Sequence, residues 1–231
     1  MQESKIKPFI KSLQEFFSIP SISAVCQAHP IMAGIAAFLG QRFSQEQYET
    51  LEDFMHLLNE RVRQVENRCI GKGFLETRDG RRIIGKVFKS VVRDNRKEKL
   101  LAMANLTINL YYKSKLSIDE KELFVDILDG LNSLQLSILQ KAVIDMNARK
   151  NKQGFHRGLG WELLAQDYIK MGVSKSLLLQ SIRVLESNGM INQNNASIVQ
   201  VDQTHYITDF GELFYYFISN PLTPDSPYLS M

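Results

Sequence analysis

The spacing of apolar residues changes once along this chain, near residue 189, and that change narrows the available folds more than any other feature. Before it, apolar positions recur at intervals of three and four and no run alternates with period two, the pattern of amphipathic helices. After it come two short β-type runs, Met190-Ile191-Asn192 and Ile198-Val199-Gln200-Val201, around the turn-rich Gln193-Asn194-Asn195-Ala196. A third run, Tyr206-Ile207-Thr208, leads into an aromatic-rich helix beginning at Asp209-Phe210-Gly211-Glu212. The expected fold class is mainly α. It has an N-terminal helical domain over 1–131, a C-terminal domain with a small β-hairpin over 132–219, and a tail over 220–231.

Composition is compatible with this. Of the 231 residues, 44% are hydrophobic and 23% charged, close to globular averages, and the length suits one large domain or two small ones. Cys26 and Cys69 are the only cysteines and form no CxxC pair, which favours a reducing, cytoplasmic setting. The start, Met1-Gln2-Glu3-Ser4-Lys5, has no apolar h-region and so does not read as a secretory signal. The most apolar stretch, Ile31 to Gly40, is about half the roughly twenty residues of a bilayer span. It reads as a buried helix rich in small residues, with an interfacial membrane segment as the alternative, so no membrane span is expected.

Four helical segments precede the C-terminal part. Ser44-Gln45-Glu46-Gln47 is a capping-box pattern, and Leu51, Met55, Leu58, Val62 and Val65 then form one stripe on a helix over 45–67. A glycine-bearing break at Cys69-Ile70-Gly71-Lys72-Gly73 separates it from a segment with Ile84, Val87, Phe88 and Val91 on one side. Arg82, Lys86, Lys89, Arg93 and Lys97 form a basic stripe on another side. From Lys72 to Lys99 there are ten basic and four acidic residues, the most basic stretch in the chain. Asp94-Asn95 ends or kinks this segment, and Leu100, Leu101, Ala104, Ile108 and Tyr111 resume the helical period. Ser117-Ile118-Asp119-Glu120 opens a further helix carrying Leu123, Phe124, Ile127 and Leu128, with Gly130 placed to close it.

From Asn132 the order of elements becomes informative. Asn132 or Ser133 caps a helix with Leu136, Leu139, Val143 and Met146 inward, and a polar basic loop follows over Asn147 to Arg157. A helix over Trp161 to Met171 then ends at the tight turn Gly172-Val173-Ser174. Ser174 caps a third helix, with Leu178, Ile182 and Leu185 inward. Helix, helix, glycine turn, helix and hairpin resembles the winged-helix variant of the helix-turn-helix. The likeness is carried by Gly172 at the turn, by Leu185-Glu186-Ser187-Asn188-Gly189-Met190-Ile191 at the exit into the wing, and by Tyr206-Ile207-Thr208-Asp209-Phe210-Gly211 at the entry to a closing helix. The region from Arg96 to Leu139 is loosely similar in rhythm to uncharacterised bacterial helical domains, some linked with phage defence of the Abi-alpha type.

The winged-helix resemblance implies a third helix entering the major groove of double-stranded DNA. Ser174, Lys175, Ser176, Gln180 and Arg183 would then meet base edges and phosphates, and Arg149, Lys150, Lys152 and Arg157 would supply phosphate contacts from the basic loop. Against this, Asn132 to Met231 holds eight basic and eight acidic residues. A neutral winged helix also fits docking onto another protein, and a defence-associated accessory role stays open beside a DNA-binding regulator. The basic stripe likewise reads either as an anion-facing surface or as the solvated side of an amphipathic helix. No enzyme chemistry and no cofactor are expected. His29, His56, His156 and His205 are scattered without metal-ligand spacing, and Gly71-Lys72-Gly73 lacks the strand and the Gly-Lys-Ser/Thr ending of a phosphate loop. Neither cysteine has a histidine beside it, and Asp126 and Asp129 read as a solvated edge. Surplus apolar surface around Gly34 and along Leu51 to Val65 favours a homo-oligomer.

Overall fold

The structure, a computed structural model, describes residues 44–63, 77–111, 116–149, 158–193 and 204–219. It divides into two compact units, Met1–Gly130 with Phe217–Met231, and Leu131–Tyr216. Among the described residues it is mostly helical, with three short strands.

In the first unit the helices are α1 (Gln45–Arg63), α2 (Arg78–Val91), α3 (Lys97–Tyr111) and α4 (Ile118–Gly130). α3 is central: it packs on α1, α2 and α4, and every residue from Ala102 to Leu110 is buried. A helix covered on all sides must satisfy its polar side chains internally. Thr107 Oγ1 donates to the Met103 carbonyl at 2.6 Å. Asn109 Nδ2 donates to the Phe217 carbonyl at 2.7 Å, and Asn105 Nδ2 to the carbonyls of Ile218 and Ser219 at 3.0 and 2.8 Å. Two asparagines thereby bind the carbonyls that a helix end would otherwise leave open. Around them, Leu51, Phe54, Met55 and Leu58 of α1 and Ile83, Ile84, Val87, Phe88 and Val91 of α2 are buried. Phe54 meets Phe88 edge-on, with centroids 5.9 Å apart. The stripe expected to drive oligomerisation through Leu51, Met55 and Leu58 is thus spent inside the unit; Val65 and the Gly34 segment lie outside the described residues. Leu123 of α4 faces solvent, 46% exposed, while Phe124, Ile127 and Leu128 are buried.

The helix ends follow local chemistry. Ser44 with Gln47, Ser117 with Glu120 and Asn132 with Gln135 each exchange backbone-to-side-chain hydrogen bonds in both directions, the reciprocal arrangement of a capping box. Thr77, which was not anticipated as a cap, accepts from the Gly80 amide at 2.9 Å. At the opposite ends, lysines serve the open carbonyls: Lys99 Nζ donates to Asp129 O, and buried Lys121 Nζ to Leu110 O at 3.2 Å. A cation there also meets the negative end of the helix dipole.

The second unit begins with α5 (Ser133–Arg149) and β1 (Gly158–Gly160), then α6 (Trp161–Lys170) and α7 (Lys175–Ser187), then β2 (Ile191–Gln193) and β3 (Thr204–Ile207). α8 (Asp209–Ser219) follows, and its residues up to Tyr216 belong to this unit. The sheet is antiparallel in the order β1-β3-β2, with Leu159 opposite His205 and Ile191 opposite Ile207. Two points differ from the sequence reading. β1 was not anticipated, because Gly158-Leu159-Gly160 is too short and too glycine-rich to carry a period-two signal. The partner of β2 is Thr204–Ile207, so the third β-type run supplies the pairing; Ile198 to Val201 lies outside the described residues.

α6 and α7 end in the same way. Gly172 has φ +87° and Gly189 φ +71°, a left-handed conformation that glycine adopts without a Cβ penalty. After α6, the Gly172 amide donates to Ile169 O (2.9 Å) and the Val173 amide to Tyr168 O (3.0 Å). After α7, Gly189 donates to Glu186 O (2.8 Å) and Met190 to Leu185 O (3.0 Å). Both are Schellman motifs with an apolar residue directly after the glycine. They turn α7 out of α6 and then into β2. Leu136, Leu139, Val143 and Met146 of α5 and Leu178, Ile182 and Leu185 of α7 are buried as their spacing predicts.

Candidate nucleic-acid interface

α7 begins where Ser174 accepts a hydrogen bond from the Leu177 amide at 3.3 Å. Its hydroxyl also lies 3.2 Å from Ser176 Oγ. The core takes Leu178, Ser181, Ile182 and Leu185, so the helical period leaves Ser174, Lys175, Ser176, Leu177, Gln180 and Arg183 exposed. The structure therefore gathers five expected contact residues on one helix and adds a sixth, Leu177, 48% exposed. A leucine within a Leu-Leu-Leu run carries no sign of exposure in its composition. The signal that singles it out is its position one residue before Leu178 in the Leu178–Ile182–Leu185 stripe. Among the described residues neither Lys175 nor Arg183 forms an ion pair, and no exposed residue of α7 is acidic. Of the basic-loop residues, Arg149 closes α5 with its side chain not described, and Lys150, Lys152 and Arg157 lie outside the described residues.

The basic stripe of the first unit has a different environment. Arg82 bonds Asp79 and Glu122, Lys86 reaches Glu122 at 2.6 Å and Asp126 at 2.8 Å, and Arg93 reaches Asp129 at 2.5 Å. Three cations of α2 and the segment after it thus face three carboxylates of α4. Hydrogen bonds from Lys86 and then Arg82 hold the Glu122 carboxyl below its ordinary range, and those from Asp126 and Glu122 hold the Lys86 ammonium above its own. Asp126 and Asp129, read from sequence as a solvated edge, are halves of these pairs. Lys89 and Lys97 are exposed.

A shallow groove of about 560 Å³ runs between α5 and α6, lined among others by Ser137, Lys141 and Tyr168. Ser137 Oγ and the Tyr168 hydroxyl are 2.9 Å apart. Lys141 pairs with Asp167 at 2.8 Å, and chiefly that bond holds its ammonium above the ordinary value. Burial pushes the Tyr168 phenol up as well. Both groups keep their protons, so neither serves Ser137 as a base at neutral pH. Among the described residues no group of three His, Cys, Asp or Glu side chains is placed to hold a metal ion, and no helix is long and apolar enough to cross a membrane. Comparison with protein-family models, curated proteins and solved structures gave no match to this chain.

Proposed function

We propose that residues 132–219 form a winged-helix module that binds double-stranded DNA, with α7 as the helix entering the major groove, and that the chain acts as a non-enzymatic DNA-binding regulator. The element order α5-β1-α6-α7-β2-β3 and the glycine turn between α6 and α7 support the module. The observation that carries the DNA reading is the exposed face of α7. It presents Lys175 and Arg183 without carboxylate partners among the described residues, beside hydroxyl and amide groups suited to base edges. Arg82, Lys86, Arg93 and Lys141, by contrast, are neutralised by carboxylates of their own unit.

The test is fluorescence anisotropy of the full chain with random-sequence duplex across a salt series. Binding should weaken with salt, Lys175→Ala should lower the log–log slope by about one, and Arg183→Ala should reduce discrimination between sequences. No binding at low salt overturns the reading. Docking onto another protein is the second reading, favoured by Leu177 on an otherwise polar face. Leu177→Lys separates the two: it should raise affinity for random duplex if the face meets phosphates, and abolish capture if the face meets an apolar partner.

A further inference from the structure

The polar residues of α7 do not share one role, because they do not share one direction. Ser176, Gln180, Arg183 and Ser187 are all exposed and recur at spacings of four, three and four. At about 100° per residue they project within an arc of about 60°. That arc is centred about 180° from the mean direction of the buried Leu178, Ser181, Ile182 and Leu185. Lys175 and Leu177 stand about 100° to either side of it. A helix lying in the major groove turns its outermost row to the base edges and its flanks to the groove walls. Lys175 is therefore aimed at a phosphate, and the four-residue row at bases.

Within that row the chemistry is uneven. Ser187 Oγ already donates to the Val184 carbonyl at 2.9 Å, and Ser176 Oγ lies 3.2 Å from Ser174 Oγ. A serine hydroxyl also suits either kind of base edge, so the two ends of the row discriminate weakly. Gln180 and Arg183, in the middle, form no hydrogen bond or ion pair among the described residues. Glu186, the only carboxylate of α7, is half-buried and lies off the row. A glutamine amide offers one donor and one acceptor, the complement of adenine N6 and N7. A guanidinium offers paired donors, the complement of guanine O6 and N7. The two side chains leave the helix about 4.5 Å apart along its axis, near the roughly 3.4 Å step between base pairs. We propose that α7 selects duplexes in which an A·T and a G·C pair lie side by side, with Gln180 on the adenine and Arg183 on the guanine. Ser176 and Ser187 leave the flanking pairs free to vary. This rests on the reading of α7 as a DNA-binding helix and adds to it the sequence class of the target.

The test is selection by the full chain, at low salt, from duplexes carrying a randomised window, with the bound fraction sequenced. Wild type should enrich an adjacent A·T and G·C pair. Gln180→Ala should erase the preference for adenine and keep that for guanine, and Arg183→Ala should do the reverse. Gln180→Arg should turn the adenine position into a guanine, a gain that an unfolded variant could not show. In the selected duplex, 7-deazaguanine in place of the guanine removes its N7 acceptor. That change should weaken wild type about tenfold and leave Arg183→Ala unaffected. Duplex captured without enrichment of any pair, or a preferred site that survives both alanine variants, overturns the assignment and leaves DNA binding standing. No capture of any duplex at low salt overturns the DNA reading itself, and this assignment with it.

Discussion

Replacing Gly211 by alanine should be among the most damaging single-methyl additions in the second unit. A Cβ at this position would stand 2.2 Å from the Met190 carbonyl oxygen and 2.9 Å from its carbon and Cα. Ordinary C···O contacts lie near 3.3 Å or beyond, so roughly 1 Å of displacement is required. The obstacle is backbone and cannot rotate away. The Met190 oxygen also accepts from the Thr208 amide at 3.0 Å and from Thr208 Oγ1 at 3.2 Å, and Thr208 Oγ1 in turn accepts from the Gly211 amide at 2.9 Å. Displacing it loses about two hydrogen bonds at about 1 kcal/mol each and adds an overpacking cost of about 1–3 kcal/mol. The expected loss is therefore about 3–5 kcal/mol, which for a unit this size lowers Tm by at least about 12 °C. Gly85→Ala is the matched control. Gly85 lies inside α2 with nothing within 4 Å of a built Cβ and no positive φ, so alanine should stabilise by about 0.5–1 kcal/mol. Thermal melts followed by far-ultraviolet circular dichroism give both values. A Gly211→Ala protein melting within two or three degrees of wild type, on the order of 0.5 kcal/mol, would mean that α8 does not start against Met190.

Two pH dependences follow from groups in the first unit. Hydrogen bonds from Arg96 first, and from Lys99, hold the Asp94 carboxyl well below the usual carboxylate range. A depressed carboxylate contributes stability that is complete above its unfolded value near 3.8 and is lost as pH falls toward the folded value. Asp94→Asn should accordingly lose less stability than wild type between roughly pH 5 and pH 2 in urea titrations; parallel curves would refute this. Burial pushes the Lys121 ammonium down, so the unfolded chain holds that proton more tightly and stability should rise with pH as the ordinary lysine value of 10.5 is approached from below. Lys121→Met should remove that rise relative to wild type, and an unchanged alkaline slope would count against it.

Local signals proved easy to read in this sequence. The capping boxes at Ser44 and Ser117, the cap at Ser174 and the inward stripes of α5 and α7 all depend on residues within four positions of each other, so spacing alone reveals them, whereas the choice between Asn132 and Ser133 as cap needed the reciprocal bonds of Asn132 with Gln135. Thr208 and Gly211 were legible only as a pattern; their physical content, a hydroxyl bonding the Gly189 and Met190 carbonyls beside a glycine that must lack a side chain, needs a contact eighteen to twenty-one residues away. α3 misled in a different way. Its apolar period suggested one inward face, yet it is covered on every side, because Asn105, Thr107 and Asn109 break the apolar pattern while satisfying their polarity internally. A buried amide that donates to a distant carbonyl looks, in sequence, like a solvated one.

The same blindness governs the charges, and it bears directly on which surface meets a partner. The α2 stripe is denser in lysine and arginine than α7, so a count of cations ranks it first. What an anionic partner meets is uncompensated charge, and Glu122, Asp126 and Asp129 stand opposite Arg82, Lys86 and Arg93 from 36 to 40 residues away in the chain. A phosphate approaching Arg82, Lys86 or Arg93 would have to displace a carboxylate already in place, whereas Lys175 and Arg183 form no ion pair among the described residues. That difference, not the number of basic residues, takes Arg82, Lys86 and Arg93 out of the count and leaves Lys89 and Lys97 as the exposed cations of the longer stripe.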